Sequence, residues 1–260
     1  MDAGVAITID ATQALVWFER VWWVALRVGA MFMAAPLFGT AMVPMRVRLI
    51  VVLALSTALA ALLPAPPELA LDAHTVLAMT REVALGLAIG FLFRLAFEAI
   101  AFAGELVSQG MGLSFAQMLD PLRGVQSPVM SQLFTLVGAL TFFAFDGHLL
   151  LIRVVFQSYT ALPAGGTSAA ASLLQTIPAF GGTMLAAGLS LALPIVIAML
   201  VVNITFGVLA RTAPALNPIS IGLPAALFVG FVLLIALVPR MAAPLLAWIN
   251  TTAATAAAVH

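Results

Sequence analysis

The sequence predicts an all-α, polytopic membrane-type protein of about six long helices. Hydrophobic residues make up 64% of the 260-residue chain and charged residues only 8%, whereas soluble domains carry about 25% charged residues. The apolar residues are also collected into runs of about 20 or more, the length that a membrane-spanning helix needs. A soluble fold of this size could not bury so much apolar surface, so most of the chain must face lipid or other hydrophobic protein.

Three apolar runs lie in the first part of the chain, at residues 15–38, 43–63 and 76–103. Gly39, Thr40 and Pro44 predict a tight turn between the first two runs, because glycine and proline interrupt helices. Pro64 and Pro67 predict a stiff loop before the third run. The first three runs therefore read as three separate helices.

Three more apolar runs follow, at residues 129–156, 182–209 and 219–248. The segment that precedes them, residues 109–128, is half polar and contains glycine, proline and methionine. Segments that contain proline, at residues 163–166 and 211–218, separate these later runs from one another. Each of the three later runs is predicted to form one helix.

Arginine positions indicate an orientation, because cytoplasmic loops are enriched in basic residues. Arg46, Arg48 and Arg211 lie in the loops after the first and fifth runs, and the acidic Glu68 and Asp72 lie in the loop after the second. The arginine-bearing loops are therefore predicted to be cytoplasmic. With six spans, both termini would then lie outside.

The charge and cysteine content exclude several classes of function. All ten basic residues are arginine and the formal net charge is zero, which argues against a nucleic-acid-binding surface. The chain has no cysteine, so it has no thiolate nucleophile and no thiolate metal site. Asp146 and His148 are two candidate ligands without a third, and a catalytic zinc usually has three protein ligands. We expect a turn there, and no catalytic, cofactor or metal site in the chain.

A polar stripe is predicted on the third helix. Arg94, Glu98, Glu105 and Gln109 recur at intervals of four and seven residues, which places them on one helical face. A charge at the centre of a bilayer costs on the order of 3 kcal/mol or more. The stripe is therefore expected to line a watery conduit or dock a neighbouring subunit. An internal salt bridge that holds helices together is the alternative.

Two more sets of polar residues occur inside apolar runs. Arg81 and Glu82 are adjacent, and adjacent helical residues point about 100° apart, so their partners are expected on other helices. Snorkelling of both side chains to the membrane interface is the alternative. Asn203 is expected to form a hydrogen bond across a helix interface.

Gly86 and Gly90 form a small-xxx-small pair on the third predicted helix. Small residues at this spacing let two helix backbones approach closely. The pair predicts close helix packing and does not identify the partner helix.

Short motifs along the chain are similar to those of a known family. Their order is MFMAAPLFG at residues 31–39, Pro44, Arg46 and Arg48, QGMGLSFA at 109–116, Asp120-Pro121, GVQSP at 124–128, FDGHL at 145–149, Leu193-Pro194, Asn203 and APALN at 213–217. In this order they resemble the FliR family of type III secretion export gate proteins, over about residues 13–245. The virulence-type paralogues share the architecture, and GVQSP and FDGHL favour the flagellar branch.

The resemblance implies a non-enzymatic subunit of the flagellar export gate in the bacterial inner membrane and flagellar basal body. FliP-like and FliQ-like subunits, FlhB- and FlhA-like export proteins, membrane lipid and exported unfolded polypeptides are the implied partners. It also implies one gate domain, with a FliP-like half at residues 1–175, a pore loop at 105–128 and a FliQ-like hairpin at 176–260. In such an assembly, few of the long helices need to cross lipid. A self-contained small-solute transporter is the alternative from another class.

The half-polar middle segment is the part to which the resemblance assigns a gating role. In the family this segment projects into the central pore and helps to close it. The corresponding residues here are Gln109, Gly110, Met111, Gly112, Leu113, Phe115 and Met118. The apolar members would seal the pore, and the glycines would give the backbone freedom to open. A static loop that only packs helices is the alternative.

Overall fold

The described regular structure of this protein is entirely helical, which confirms the predicted fold class. A computed structural model describes residues 11–40, 43–66, 72–113, 129–165, 171–212 and 218–258. The helices in these ranges are α1 (Ala11–Ala34), α2 (Met45–Ala60), α3 (Ala73–Gly110), α4 (Val129–Ala144), α5 (Gly147–Ala161), α6 (Ala171–Thr212), α7 (Pro218–Leu237) and α8 (Ala242–Ala257). A short 3-10 turn, Val238–Arg240, separates α7 from α8.

Two of the predicted helices are each broken into two. The fourth apolar run forms α4 and α5, which are bent by 69°, and the sixth forms α7 and α8, which are bent by 55°. Asp146 causes the first break, because it has a left-handed φ of 56° that an α-helix cannot continue. Pro239 lies in the 3-10 turn at the second break, where a missing N–H interrupts helical hydrogen bonding. Both breaks lie inside apolar sequence, so hydropathy alone does not reveal them.

In the part of the chain that the structure describes, fewer helices are long and apolar enough to cross a membrane than the six apolar runs suggest. By length and composition, Ala73–Gly110 and Thr176–Leu209 could each cross, and the number among the described residues rises to four if each bent pair is one span. Helix α2 has 16 residues, fewer than the roughly 20 that a span needs. Helices α3 and α6 have 38 and 42 residues, so each exceeds the roughly 30 Å of a hydrocarbon core.

The chain divides into two compact units. Unit 1 comprises Met1–Leu92, Leu151–Thr176 and Thr255–His260. It therefore contains α1, α2, the first part of α3 and most of α5, together with the first residues of α6 and the last residues of α8. Its fully buried side chains include Trp23, Val28, Met31, Leu85, Ile89 and Leu151. The Tyr159 hydroxyl donates a hydrogen bond to the Val24 carbonyl oxygen at 3.2 Å. This bond joins α5 to α1 inside the unit.

Unit 2 comprises Phe93–Leu150 and Ile177–Ala254. Its core draws on α3, α4, α6, α7 and α8, and contains Ile100, Val107, Met111, Phe134, Ile195, Met199, Leu234 and Leu245. Close backbone approaches build this core: a Cβ on Gly104 would lie 2.5 Å from the Met130 carbonyl oxygen, and one on Gly188 would lie 2.7 Å from that of Ala99. The helices of unit 2 are thus packed tightly around the last part of α3.

Each compact unit is built from more than one stretch of the sequence. Unit 2 takes both Phe93–Leu150 and Ile177–Ala254, and unit 1 takes the stretches on either side. The predicted halves, residues 1–175 and 176–260, were drawn from family resemblance and stay a prediction.

Candidate functional site

A buried ion pair joins α1 to α3 in unit 1. The Arg27 Nε donates to Glu82 Oε2 at 2.7 Å, and Arg27 Nη2 donates to Glu82 Oε1 at 3.0 Å. Their side chains are 0% and 1% exposed. This two-bond fork is the geometry in which arginine and carboxylate interact most strongly. The partner of Glu82 is therefore on another helix, and Arg81 lies half-buried beside it.

The remaining donors of Arg27 are directed at α5 and the residues after it. Nη1 donates to Ser158 Oγ at 2.9 Å, and Nη2 donates to the Leu162 carbonyl oxygen at 2.9 Å. The guanidinium carbon lies 4.0 Å from the centre of the Tyr159 ring, a cation–π distance. Such a charge is tolerated in an apolar interior because nearly every donor has a partner.

The glycine pair on α3 lies against the backbone of α1 in the same unit. A Cβ on Gly86 would overlap the Arg27 carbonyl oxygen, and a Cβ on Gly90 would lie 2.5 Å from the Met31 carbonyl oxygen. Arg27 and Met31 are themselves one helical turn apart. The two glycines therefore form the flat face against which α1 packs, next to the buried ion pair.

The polar stripe of α3 is exposed in unit 2. Arg94 and Glu98 form an ion pair within the helix at 3.7 Å, with side chains 59% and 54% exposed. Glu105 and Gln109 are also exposed, and residues such as Phe97 and Ile100 on the other side of the helix are buried. One face of an apolar helix thus presents charges outward, although lipid would be a costly surrounding for them.

The mid-chain segment begins with a helix cap of defined geometry. Leu113 N donates to the Ser108 carbonyl oxygen at 3.1 Å, and Gly112 N donates to that of Gln109 at 3.0 Å. Gly112 has a φ of 75°. These are the two hydrogen bonds and the left-handed residue of a Schellman motif, which satisfies carbonyl groups at a helix end. The role of Gly112 in pore opening stays a prediction, and in this structure its left-handed conformation forms the cap.

Residues next to the cap are held by α6 and α7. Met111 is fully buried in the core of unit 2, and a Cβ on Gly230 would lie 2.6 Å from its Cε. Asn203 Nδ2 donates to the Gly110 carbonyl oxygen at 3.2 Å, a hydrogen bond between α6 and the end of α3. Leu113 packs partly buried against the same core. Phe115 and Met118 lie outside the described residues.

The described part of the chain lacks a cluster of candidate metal ligands. It contains no group of three His, Cys, Asp or Glu side chains that could hold a metal ion. Asp146 lies in the turn between α4 and α5, where its carbonyl oxygen accepts from Leu149 N and Leu150 N. His148 packs its ring 5.8 Å from that of Phe143. The Asp-Gly-His motif therefore forms a turn here, as the sequence suggested.

Comparison with known proteins places this arrangement in a family. The model of "Bacterial export proteins, family 1" matches residues 18–252. The chain belongs to this export-protein family. Flagellar biosynthetic protein FliR of Escherichia coli strain K12 is 33% identical over 91% of this chain and 90% of its own length. The proteins of the same name from Caulobacter vibrioides and Bacillus subtilis are 32% and 29% identical, over 80% and 82% of this chain and 84% and 83% of their own lengths. The family resemblance inferred from the motifs is confirmed.

The match to the export-protein family includes most of the geometry described above, since α2 to α7 lie wholly inside it. Sequence reasoning missed two features within that range. It did not pair Glu82 with Arg27, which is 55 positions away, and it did not find Gly230. The position of Arg27 in the middle of an apolar run was a usable signal for the ion pair. For Gly230, the signal was a glycine inside a helix as apolar as α7.

Proposed function

We propose that this chain is a subunit of a flagellar type III protein export gate in the bacterial inner membrane. FliP-like and FliQ-like subunits would complete a channel for unfolded flagellar proteins, next to FlhA- and FlhB-like export proteins in the basal body. The observation that carries the proposal is the family match over residues 18–252, together with relatives whose name is flagellar biosynthetic protein. A gate subunit of this kind carries out no reaction of its own.

Two surfaces of unit 2 support an assembly in preference to a self-contained carrier. The exposed side chains of α6 form a long apolar face that includes Leu185, Leu189, Leu193, Ile197 and Ile204. Such a face needs lipid or a neighbouring helix to cover it. The polar stripe of α3 needs water or protein instead. A subunit in the wall of a channel meets both requirements, because its outer face contacts neighbours and its inner face contacts the conduit.

Within this proposal the mid-chain segment closes the pore. The plug is the stretch that follows Leu113, and Phe115 and Met118 supply apolar groups that can exclude ions by dewetting a constriction. Residues 109–113 form its base. Met111 was predicted to be a sealing side chain, and it would have to leave the unit 2 core to act as one. A channel for unfolded polypeptides needs a seal that is indifferent to sequence, which flexible methionine and aromatic side chains provide.

Co-expression is the direct test of the subunit proposal. The chain would be produced with FliP-like and FliQ-like proteins from the same genome, purified in detergent, and weighed as an intact complex by native mass spectrometry. We expect a hetero-oligomer that contains this chain, and a strain that lacks the chain should be non-motile. A chain that purifies alone and moves a small solute in liposomes would exclude the proposal in favour of a carrier.

Ion leak tests the plug. The double variant Phe115→Ala with Met118→Ala should raise the ion conductance of the assembled gate, because the apolar constriction would be wider and wetter. Conductance would be measured on purified gates in planar bilayers without an export substrate. If the variant assembles normally and conducts no more than the parent, the segment is a static packing loop.

A further inference from the structure

We infer that Arg20 on α1 is the centre of a binding site for the phosphate group of an anionic phospholipid. The site is a groove on one face of α1, within unit 1, and we call it the Arg20 groove. Its lining residues are Thr12, Gln13, Val16, Trp17 and Arg20. The inference concerns the contact of this chain with a membrane, and it does not depend on the proposed gate function.

Arg20 has hydrogen-bond donors that no acceptor in the described part of the chain satisfies. Its Nε is buried without a hydrogen-bond partner, and the side chain as a whole is half-buried. Arg27, two turns further along the same helix, has acceptors for its Nε, Nη1 and Nη2. A guanidinium group is always charged and carries five N–H donors that suit phosphate oxygens. An anion from outside the chain would therefore complete the surroundings of Arg20.

The shape of the groove allows other donors to contribute. Residues 12–13, 16–17 and 20 lie one helical turn apart, so they share one face of α1. The Gln13 amide and the Trp17 indole N–H can both donate to an oxygen, and none of the five lining residues is acidic. Glu19, the neighbouring acid, is about 100° further round the helix than Arg20. The groove has a volume of about 250 Å³, close to the roughly 300 Å³ at which small-molecule sites begin.

The surroundings of the groove favour a lipid as the source of the phosphate. Leu15, Phe18 and Trp22 on α1 are 62%, 59% and 42% exposed, and the rings of Phe18 and Trp22 stack with their centres 6.2 Å apart. Tryptophan is enriched where a membrane meets water, and an arginine at that level extends its charge towards the headgroups. Acyl chains would cover this apolar surface, whereas a free phosphate ion would leave it in water.

Lipid retention by the purified protein is the central test. The chain, in the complex in which it purifies, would be stripped of lipid in detergent and titrated with phosphatidylglycerol, and bound lipid would be counted by native mass spectrometry. We expect the parent to hold one lipid tightly. Arg20→Met should weaken its binding about tenfold or more, as loss of a hydrogen bond between charged groups would. Arg20→Lys keeps the charge but not the fork of donors, so its affinity should lie between the two.

Arg153→Met is the matched control. Arg153 is an exposed arginine on α5 in the same unit, and it does not line the Arg20 groove. This change removes the same charge from the chain, and the variant should bind phosphatidylglycerol like the parent. Circular dichroism would verify that each variant is folded. Arg20→Met is expected to fold normally, because Arg20 has no partner among the described residues to lose.

Two other ligands distinguish the possible sources of the phosphate. Phosphatidylcholine should bind more weakly than phosphatidylglycerol, because it places a second cation close to Arg20. Excess inorganic phosphate should not displace phosphatidylglycerol, since only the lipid gains from the apolar surface around the groove. Displacement by inorganic phosphate would show an anion site that is not a lipid site, and it would overturn the inference.

The remaining outcomes separate this inference from the proposed function. Equal lipid retention by the parent, Arg20→Met and Arg153→Met would mean that lipid covers the surface without a site at Arg20, and the inference would be wrong. It would also be wrong if the isolated chain retained the lipid but the hetero-oligomer did not, since a neighbouring subunit would then occupy the groove. Retention that depends on Arg20 in a chain that forms no hetero-oligomer would support the lipid site while the gate proposal failed.

Discussion

At the scale of single residues, the Arg27–Glu82 pair is the most constrained contact in the described structure. The two charges are buried, form two hydrogen bonds with each other, and involve α1, α3 and α5. The sequence predicted that Glu82 has a partner on another helix. It did not identify Arg27 as that partner, and it did not predict the hydrogen bonds of Arg27 to Ser158 and to the Leu162 carbonyl oxygen. These contacts join residues that are 55 to 135 positions apart, so they depend on how the helices pack and not on the local sequence pattern.

Replacement of either Arg27 or Glu82 alone should lower the stability of the folded protein. Arg27→Met or Glu82→Leu leaves a charge buried without compensation, for which we expect a loss of about 3–5 kcal/mol in the free energy of unfolding. The double variant should lose less than the sum of the two, since it leaves no uncompensated charge. Denaturant unfolding of the detergent-solubilised protein, followed by circular dichroism, measures each value.

The exposed Arg94–Glu98 pair on α3 is the control for the Arg27 and Glu82 variants. Arg94 and Glu98 are more than half exposed, and exposed pairs of this spacing contribute about 0.3–0.5 kcal/mol. Arg94→Met should therefore change the free energy of unfolding far less than Arg27→Met. Equal losses from the two variants would show that burial of Arg27 contributes nothing particular to stability.

At the scale of helices, apolar runs predicted most elements and missed their breaks. The first, third and fifth runs correspond to α1, α3 and α6, and in each case the helix extends beyond or is shifted from the run by several residues. The bend between α4 and α5 lies at the Asp-Gly-His motif, where the sequence predicted a turn, whereas the bend between α7 and α8 was not predicted. They depend on the left-handed conformation of Asp146 and on one 3-10 turn, and neither changes the hydropathy of the segment.

The packing of α1 on α3 gives a prediction for Gly90. A Cβ there would lie 2.5 Å from the Met31 carbonyl oxygen and 2.8 Å from the Ala34 Cβ, so Gly90→Ala must separate the two helices. Overpacking of this kind costs about 1–3 kcal/mol. We expect a corresponding decrease in the free energy of unfolding in detergent micelles.

Gly207 on α6 provides the matched comparison. No atom lies within 4 Å of a Cβ built there, and alanine is favoured over glycine in a helix by about 1 kcal/mol. Gly207→Ala should therefore leave stability unchanged or raise it slightly. If Gly90→Ala also left the free energy of unfolding unchanged or raised it, the close contact between α1 and α3 would not be stabilising.

The start of α3 gives a pH-dependent prediction. Thr75 N donates to Asp72 Oδ1 at 2.7 Å, and hydrogen bonding from the side chain and backbone of Thr75 lowers the pKa of Asp72 below its ordinary value of 3.8. A lowered pKa means that the folded state favours the carboxylate. The cap is therefore fully effective above pH 3.8 and is lost as the pH falls through the lower, folded-state pKa.

Amide hydrogen exchange at Thr75 measures this cap. Protection, corrected for the intrinsic exchange rate at each pH, should be constant near neutrality and should fall in strongly acidic solution. Asp72→Asn keeps a side-chain acceptor and should retain protection without the pH dependence, whereas Asp72→Ala should lose it at every pH. Equal protection in all three proteins would show that Asp72 does not cap α3.

At the scale of the whole molecule, the described surface combines an exposed apolar face on α6 with an exposed polar stripe on α3. Hydropathy separates apolar from polar segments, but it does not distinguish burial in lipid from burial between subunits. The polar stripe from Arg94 to Gln109 was predicted from spacing alone, and all four of its side chains are exposed in unit 2. Gly230 and the burial of Met111 were not predicted, because they result from the meeting of α3 and α7, which are far apart in the chain.

Water access to the stripe can be measured because the chain has no cysteine. Glu105→Cys and Gln109→Cys in the assembled gate should react with a membrane-impermeant maleimide, since a stripe that carries charges is expected to face water in the conduit. Val107→Cys lies on the buried side of α3 and should be protected. Ile197→Cys lies on the apolar face of α6 and, although 55% exposed in the isolated chain, should be covered by lipid or a neighbour. Reaction at Ile197 but not at Glu105 would contradict the proposed inner and outer faces.

The Schellman cap at the end of α3 has a consequence for how far a pore seal could travel. Residues 114–128 connect this cap to the start of α4, and both attachment points belong to unit 2. Fully extended, this stretch spans at most about 54 Å at roughly 3.6 Å per residue. In the proposed gate, a passing polypeptide could therefore displace a plug formed by this stretch by no more than this length. Because both ends of the stretch stay attached to unit 2, the plug would remain part of the gate after the polypeptide has passed.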